Sequence, residues 1–185
     1  MKYVRGFTLI ELIIVISVIG IMASALAPIM QSSLRAYDNT LNDLIVLDKL
    51  RYATERLARE IREVKDNDTT ANTNFAFTSM STSAPVFTRD YNTCADSTCN
   101  TITTVTRTVT VGNAGSTVTL AYSDMSGTGA QVLTDQVSSL AFAYFDKDGV
   151  STASTVDVRY VQISLTLNQN GNDYTQRTRV ELRNR

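Results

Sequence analysis

The sequence predicts an α+β protein: a long N-terminal helix, membrane-spanning in its first half and amphipathic in its second, packed on an antiparallel β-sheet head. Three observations predict it. Phe7 to Met30 contains no Lys or Arg, and Glu11 is its sole ionisable side chain. After Met30, Leu41, Leu44, Leu47, Leu50, Leu57, Ile61 and Val64 recur at spacings of three, four or seven, the stripe of a helix with one apolar face. The second half of the chain alternates apolar and polar residues in short runs divided by Gly- and Asn-containing turns, the pattern of strands and hairpins.

The N-terminal run comes first. As a helix it extends roughly 36 Å at ~1.5 Å per residue, enough for a hydrocarbon core of ~30 Å. Lys2 and Arg5 precede it, which places the first residues in the cytoplasm and the remainder outside. Three readings compete. A secretory signal peptide finds small-residue cleavage sites in Ala23–Ala25 and Ala25–Ala27, but the stretch is long, holds an acid and continues straight into Pro28. A plain anchor explains length and flanks but leaves Glu11 without a purpose, since an ionised side chain at the centre of a span costs ~2.5–3.5 kcal/mol. A processed assembly helix gives Glu11 a partner. Cleavage after Gly6 makes Phe7 the chain start, four residues before Glu11, and positions i and i+4 share a helix face. The carboxylate then meets that ammonium, or the Phe7 ammonium of a neighbouring subunit. Pro28 removes one helical hydrogen bond, which reads either as a kink or as a point of local stretch.

The amphipathic half follows. Opposite its stripe, "ERLAREIRE" sets Glu55 against Arg59 and Arg56 against Glu60 at i,i+4, read as a solvated face with ordinary surface pairs, a docking patch being the alternative. "DNDTT" (Asp66 to Thr70) is expected to end the helix. Thr69 to Asn100 is rich in Ser, Thr, Asn and Ala with little periodicity, and reads as a loop region of unassigned role in which a ligand specificity could reside. It contains the only cysteines, Cys94 and Cys99. A metal site would need four ligands and a redox motif a tighter spacing, so a local disulfide is preferred for a segment outside the cytoplasm.

The strands come last. Val105, Val109 and Val111 mark one, and "GNAGS" turns it into Val118, Leu120 and Tyr122. A loop over Ser123 to Ala130 leads to a strand from Val137 to Phe145 with Leu140, Phe142 and Tyr144 on one face. "DKDG" turns the chain into Val156 to Leu167, where the alternation changes phase at Tyr160/Val161 and predicts a bulge, and "NQNGND" turns it into Tyr174 to Leu182. Short turns imply one antiparallel sheet covered by the helix stripe. Asp146 and Asp148 are oxygen donors before a glycine, but the further acids of a calcium loop are missing and a hairpin turn is preferred. The basic "RTRVELRNR" reads as an edge strand guarded by charge, with a partner-binding edge as the alternative.

Composition argues against an enzyme. The chain has no histidine, which removes the usual general base, the usual neutral metal ligand and every His-containing triad, and no nucleotide or metalloprotease motif is present. A net charge of −1 gives no electrostatic reason to expect nucleic acid as a partner, and no cofactor is expected.

"RGFTLIELIIVISVIG" resembles the prepilin N-terminal motif of type IV pilins and type II secretion pseudopilins. The resemblance implies that a prepilin peptidase cuts between Gly6 and Phe7 and methylates the new amino group of Phe7. It implies too that Glu11 is the assembly acid and that Gly20 and Pro28 loosen the helix. It divides the chain into a leader (1–6), a transmembrane and assembly helix (7–30), an amphipathic helix continuing into the head (31–67) and a periplasmic β-rich head (68–185). The implied partners are the peptidase, other pilin or pseudopilin subunits and inner-membrane lipid. More weakly, "TERLAREIREV", "SSLAFAYFDKDG" and "RYVQISLTL…TRVELRN" resemble J-type minor pseudopilins of type II secretion and, equally, PilW-like or MSHA-type minor pilins; the absence of tryptophan departs from the J-type pattern. Such minor subunits prime or cap a filament. A filament-displayed adhesin or ligand-binding subunit is the alternative.

Overall fold

The computed structural model describes residues 8–65, 77–94, 102–124 and 129–182, with the backbone alone at Asn92, Cys94 and Ile102. The chain divides into two units, one ending at Leu44 and the other starting at Ile45. A single helix, α1 (Leu9–Arg62, 54 residues), supplies all the described structure of the first and the opening of the second.

In the first unit α1 is exposed throughout except at Asn42 and Asp43, and it runs unbroken through Pro28. An apolar window within it is long enough to cross a membrane, and none of that window is buried in the chain. Every Ser and Thr hydroxyl of α1 turns back onto its own helix. Ser17 donates to the Ile13 carbonyl (2.7 Å), Ser24 to Ile21 (2.8 Å), Ser32 and Ser33 both to Ile29 (2.8 and 3.0 Å), Thr40 to Ala36 (2.8 Å) and Thr54 to Leu50 (2.7 Å). These side chains therefore need no outside partner, which a lipid environment would not provide.

In the second unit α1 buries Val46, Leu50, Ala53, Thr54, Leu57, Ala58, Glu60 and Ile61. The buried face thus differs from the leucine stripe the sequence suggests. Leu50, Leu57, Ile61 and Val64 are on it, whereas Leu41, Leu44 and Leu47 are exposed and Val46 and Ala53 take the inward positions. Nor is the face opposite a uniformly solvated one: Glu60 is fully buried, and Glu55 pairs with Arg51 rather than Arg59. The helix also stops sooner than the Asp/Asn run at 66–70 suggests. Its end tightens through i→i−3 bonds from Glu63 to Glu60 (3.3 Å) and Val64 to Ile61 (3.2 Å). Val64 then bridges to Arg89, and the Lys65 N–H reaches the Thr88 carbonyl at 2.8 Å, so strand pairing draws the backbone out of the helix.

Among the described residues eight strands follow: β1 (Phe77–Ser79), β2 (Val86–Cys94), β3 (Ile102–Ala114), β4 (Thr117–Tyr122), β5 (Gln131–Thr134), β6 (Val137–Phe145), β7 (Tyr160–Gln169) and β8 (Asn172–Glu181). They form two antiparallel sheets rather than one, β1-β2-β3-β4-β5 and β6-β7-β8. β1 and β2 lie inside the stretch read as loop, and β2 pairs with β3 from Val86↔Thr110 to Cys94↔Ile102. Alternation there is hidden because Arg89 and Asp90 carry ion pairs, to Glu60 and Glu63 and to Lys65, where a sequence reading expects apolar side chains. The phase change at Tyr160/Val161 is not a bulge. A turn occupies Thr155–Asp157 and β7 begins at Tyr160, after which Val161, Ile163, Leu165 and Leu167 alternate inward. The bulge-like register shift lies in β6 instead, between Val137 and Ser139.

The strand runs over Val137–Phe145 and the hairpin at Asn170-Gly171 are as expected. Asn170 (φ 53°) and Gly171 (φ 84°) form a two-residue turn with both residues in the left-handed region, as the twist of a tight hairpin requires. Asp146 caps the DKDG turn. Its Oδ1 accepts the N–H of Asp148 (2.9 Å) and of Val150 (2.8 Å), and Gly149 (φ 80°) completes the reversal. One apolar core joins α1 to both sheets, with Leu57, Phe87, Val109, Val111, Val118, Val161, Ile163, Leu165 and Leu167 wholly enclosed. Burying each such side chain contributes roughly 1.5–3 kcal/mol.

Candidate functional site

The residues singled out for assembly lie at the start of α1. Gly6 and Phe7 fall outside the described residues. Glu11 lies in the first turn and is exposed. Its N–H points to Thr8 Oγ1 at 3.4 Å, and the Leu12 N–H to the Thr8 carbonyl at 3.3 Å, so Thr8 caps the helix. Thr8-x-x-Glu11 has the spacing of a capping box, and a carboxylate in a first turn is favoured by the helix dipole. Among the described residues no cation stands within ion-pair distance of Glu11. The acid is thus presented at the helix start with no counter-charge from the described part of its own chain. Gly20 sits on an open helix face, where an added Cβ would meet nothing within 4 Å.

Comparison with known families gives a match over this segment. Residues 1–27 match the family model described as the prokaryotic N-terminal methylation motif. The motif marks the type IV pilin and pseudopilin family. Comparison with curated proteins found no match. The match stops short of Pro28 and of the head, so the head is read from its own chemistry.

The disulfide expected between Cys94 and Cys99 lies outside the described residues, apart from the Cys94 backbone at the end of β2. The head does hold a polar cluster that the sequence reading missed. Glu60, fully enclosed on α1, is 2.7 Å from Arg56 Nη2 and accepts the Tyr122 hydroxyl at 2.9 Å. Arg56 also donates to the Tyr122 oxygen at 2.8 Å, closing a triangle between helix and β4. From β2, Arg89 Nε approaches Glu60 Oε2 to 3.2 Å, an ion pair not aligned as a hydrogen bond, while its Nη1 bonds Glu63. Behind them, the Arg107 guanidinium on β3 lies over the rings of Tyr91 (4.1 Å) and Tyr122 (4.9 Å) and pairs with Asp124. One helix carboxylate thus collects a cation from β2 and a hydroxyl donor from β4. The available signal was phase: Glu60 follows Leu57 by three residues and sits beside Ile61, on the buried arc.

Electrostatics in the head follow from these contacts. Burial opposes the charged Arg56, but the Tyr122 hydrogen bond and Glu60 outweigh it and raise its pKa. Burial and the Glu60 hydrogen bond raise Tyr122. Burial would raise Asp90, yet the Thr106 hydroxyl (2.6 Å) and Lys65 (3.1 Å) hold it below the ordinary carboxyl range. Asp124 is lowered in the same way, burial being outweighed by Arg107 and by Tyr91 (2.8 Å). Asp135 is lowered chiefly by Lys49 at 2.7 Å. A folded-state carboxyl pKa below the unfolded value of about 3.9 adds stability that is complete above that value and disappears as pH falls through the folded one. Melting temperature is therefore expected to vary little from pH 8 to 6, where no histidine titrates, and to fall below about pH 4. Asp90→Asn should shorten that acid limb; thermal melts across the pH range check both.

Proposed function

We propose that this chain is a minor pilin or pseudopilin, a non-enzymatic structural subunit that primes or caps a type IV pilus or a type II secretion pseudopilus. A prepilin peptidase removes residues 1–6 and methylates Phe7. The subunit then waits in the inner membrane, anchored by the apolar part of α1, with its head in the periplasm. On assembly, Glu11 pairs with the amino group of Phe7, its own or a neighbour's, so that both charges are neutralised among packed helices.

The observation that carries this reading is the methylation motif joined to a helix whose apolar window is wholly unburied and whose first turn carries Glu11, unpaired among the described residues. An unpaired carboxylate in lipid is costly, and a freshly exposed chain start is the cation that cleavage supplies. Leu41, Leu44 and Leu47, exposed beyond the apolar window, offer further helix surface to related subunits. Gly20, with open space around it, lets another helix approach closely. Mass spectrometry of the first peptide of protein recovered from cells with an active prepilin peptidase should show a start at Phe7, heavier by one methylene. An intact leader on the mature, assembled protein overturns the reading.

A further inference from the structure

Away from the helix start and the Glu60 cluster, the end of α1 and the ends of β7 and β8 border an open groove of about 910 Å³, lined by Arg62, Lys147, Arg159, Tyr160, Arg179 and Glu181, among others. Four cations and one carboxylate meet there, in a chain whose net charge is −1. Around the helix–sheet cluster the cations are matched: Lys49 with Asp135, Arg56 with Glu60, Lys65 with Asp90, Arg107 with Asp124. For Arg62 and Arg179 in the groove that matching stops. Among the described residues neither Arg62 nor Arg179 has a carboxylate within ion-pair distance, and Lys147 has only its exposed neighbour Asp148 at 3.8 Å. Arg179 lies instead over the rings of Phe145 (4.4 Å) and Tyr160 (4.8 Å). Stacking of this kind orients a guanidinium without neutralising it and leaves its planar edge free for a carboxylate.

The backbone beside the groove narrows the choice of ligand. Among the described residues β8 pairs with β7 alone and is the edge of its sheet, so no described strand pairs with the other side of its main chain, and Arg177 and Arg179 stand exposed along it. An unpaired strand edge accepts an extended peptide through main-chain hydrogen bonds, while the flanking side chains select which peptide. An open trough suits a polymer better than an enclosed small molecule. We infer that this groove, together with the free edge of β8, binds an extended acidic peptide segment of a partner protein. The inference does not depend on how the N-terminus is processed.

The test uses the full chain in a nonionic detergent and a fluorescein-labelled octaglutamate, followed by anisotropy. Saturable binding that weakens with added salt is expected. Arg62→Gln with Arg179→Gln should weaken it roughly tenfold or more, while Arg59→Gln, an exposed cation outside the groove, should not. If Arg179→Gln lowers the melting temperature, Arg62→Gln alone must still weaken binding. Methylating alternate backbone nitrogens of the octaglutamate should weaken it further. Absence of binding, indifference to the groove substitutions, or indifference to backbone methylation overturns the proposal. So does tighter binding of polygalacturonate or of anionic phospholipid vesicles than of the peptide.

Discussion

Glu60→Ala should lower the stability of the head by about 3–5 kcal/mol, the loss typical of removing one partner from a buried ion pair. At this chain size that corresponds to a fall in melting temperature of roughly 10 °C or more. The reason lies in what stays behind. Glu60 is fully enclosed, and the side chains of Arg56 and Arg89 are only 33% and 13% exposed. Without the carboxylate, Arg56 keeps only a neutral phenol and Arg89 keeps Glu63, so two partly enclosed cations lose the counter-charge they share. Arg51→Ala is the contrasting case. Its pair with Glu55 has the same i,i+4 spacing, but the two side chains are 72% and 59% exposed, so the change should leave the melting temperature nearly where it was. Thermal unfolding of both variants in one detergent checks the contrast. Equal losses would mean that the enclosed pair holds no special place in the head.

Glu11→Ala should leave membrane insertion intact while incorporation into filaments falls on the order of 50-fold, if neutralising the acid between subunits is worth ~2.5 kcal/mol. Insertion depends on apolar length, which the substitution increases. Assembly, on the proposed reading, depends on the first-turn carboxylate, which it removes. Membrane fractionation measures the first quantity, and the amount of subunit in sheared filaments or in crosslinked subunit complexes measures the second. Normal incorporation of the alanine protein would take the assembly role from Glu11. Because Thr8 and Glu11 have capping-box spacing, Glu11→Gln is the more informative companion. It keeps a capping side chain and loses the charge, so it separates helix initiation from neutralisation.

Much of this architecture was legible in the sequence, and the failures share a cause. The apolar run of α1, the hairpin at Asn170-Gly171 and the alternation of β6 depend on local pattern, and local pattern suffices to find them. β2 was missed because its inward and lateral positions are filled by Arg89, Asp90 and Tyr91, residues that belong to a strand only when Glu60, Lys65 and Asp124 arrive from elsewhere to meet them. β5 is short and faces outward at Gln131 and Val132, so it shows no alternation to detect. The division into two sheets depends on which strands stop pairing, and nothing between Thr134 and Val137 announces that break. The helix stripe was misread toward its start because leucine density was followed rather than angular phase, which Val46, Leu50, Ala53 and Leu57 keep. At the candidate site, the motif residues were plain from their order alone, whereas Glu60 and the basic groove exist only once distant strands converge.

The inward-turned hydroxyls of α1 carry a consequence for how rods of this kind could align. With Ser17 and Ser24 committed to their own backbone, the apolar surface offers neighbours almost nothing directional, and sliding by a turn would change little in contact energy. Axial registry would then be encoded at a single point, the acid at position 11, much as one notch sets the travel of an otherwise smooth shaft.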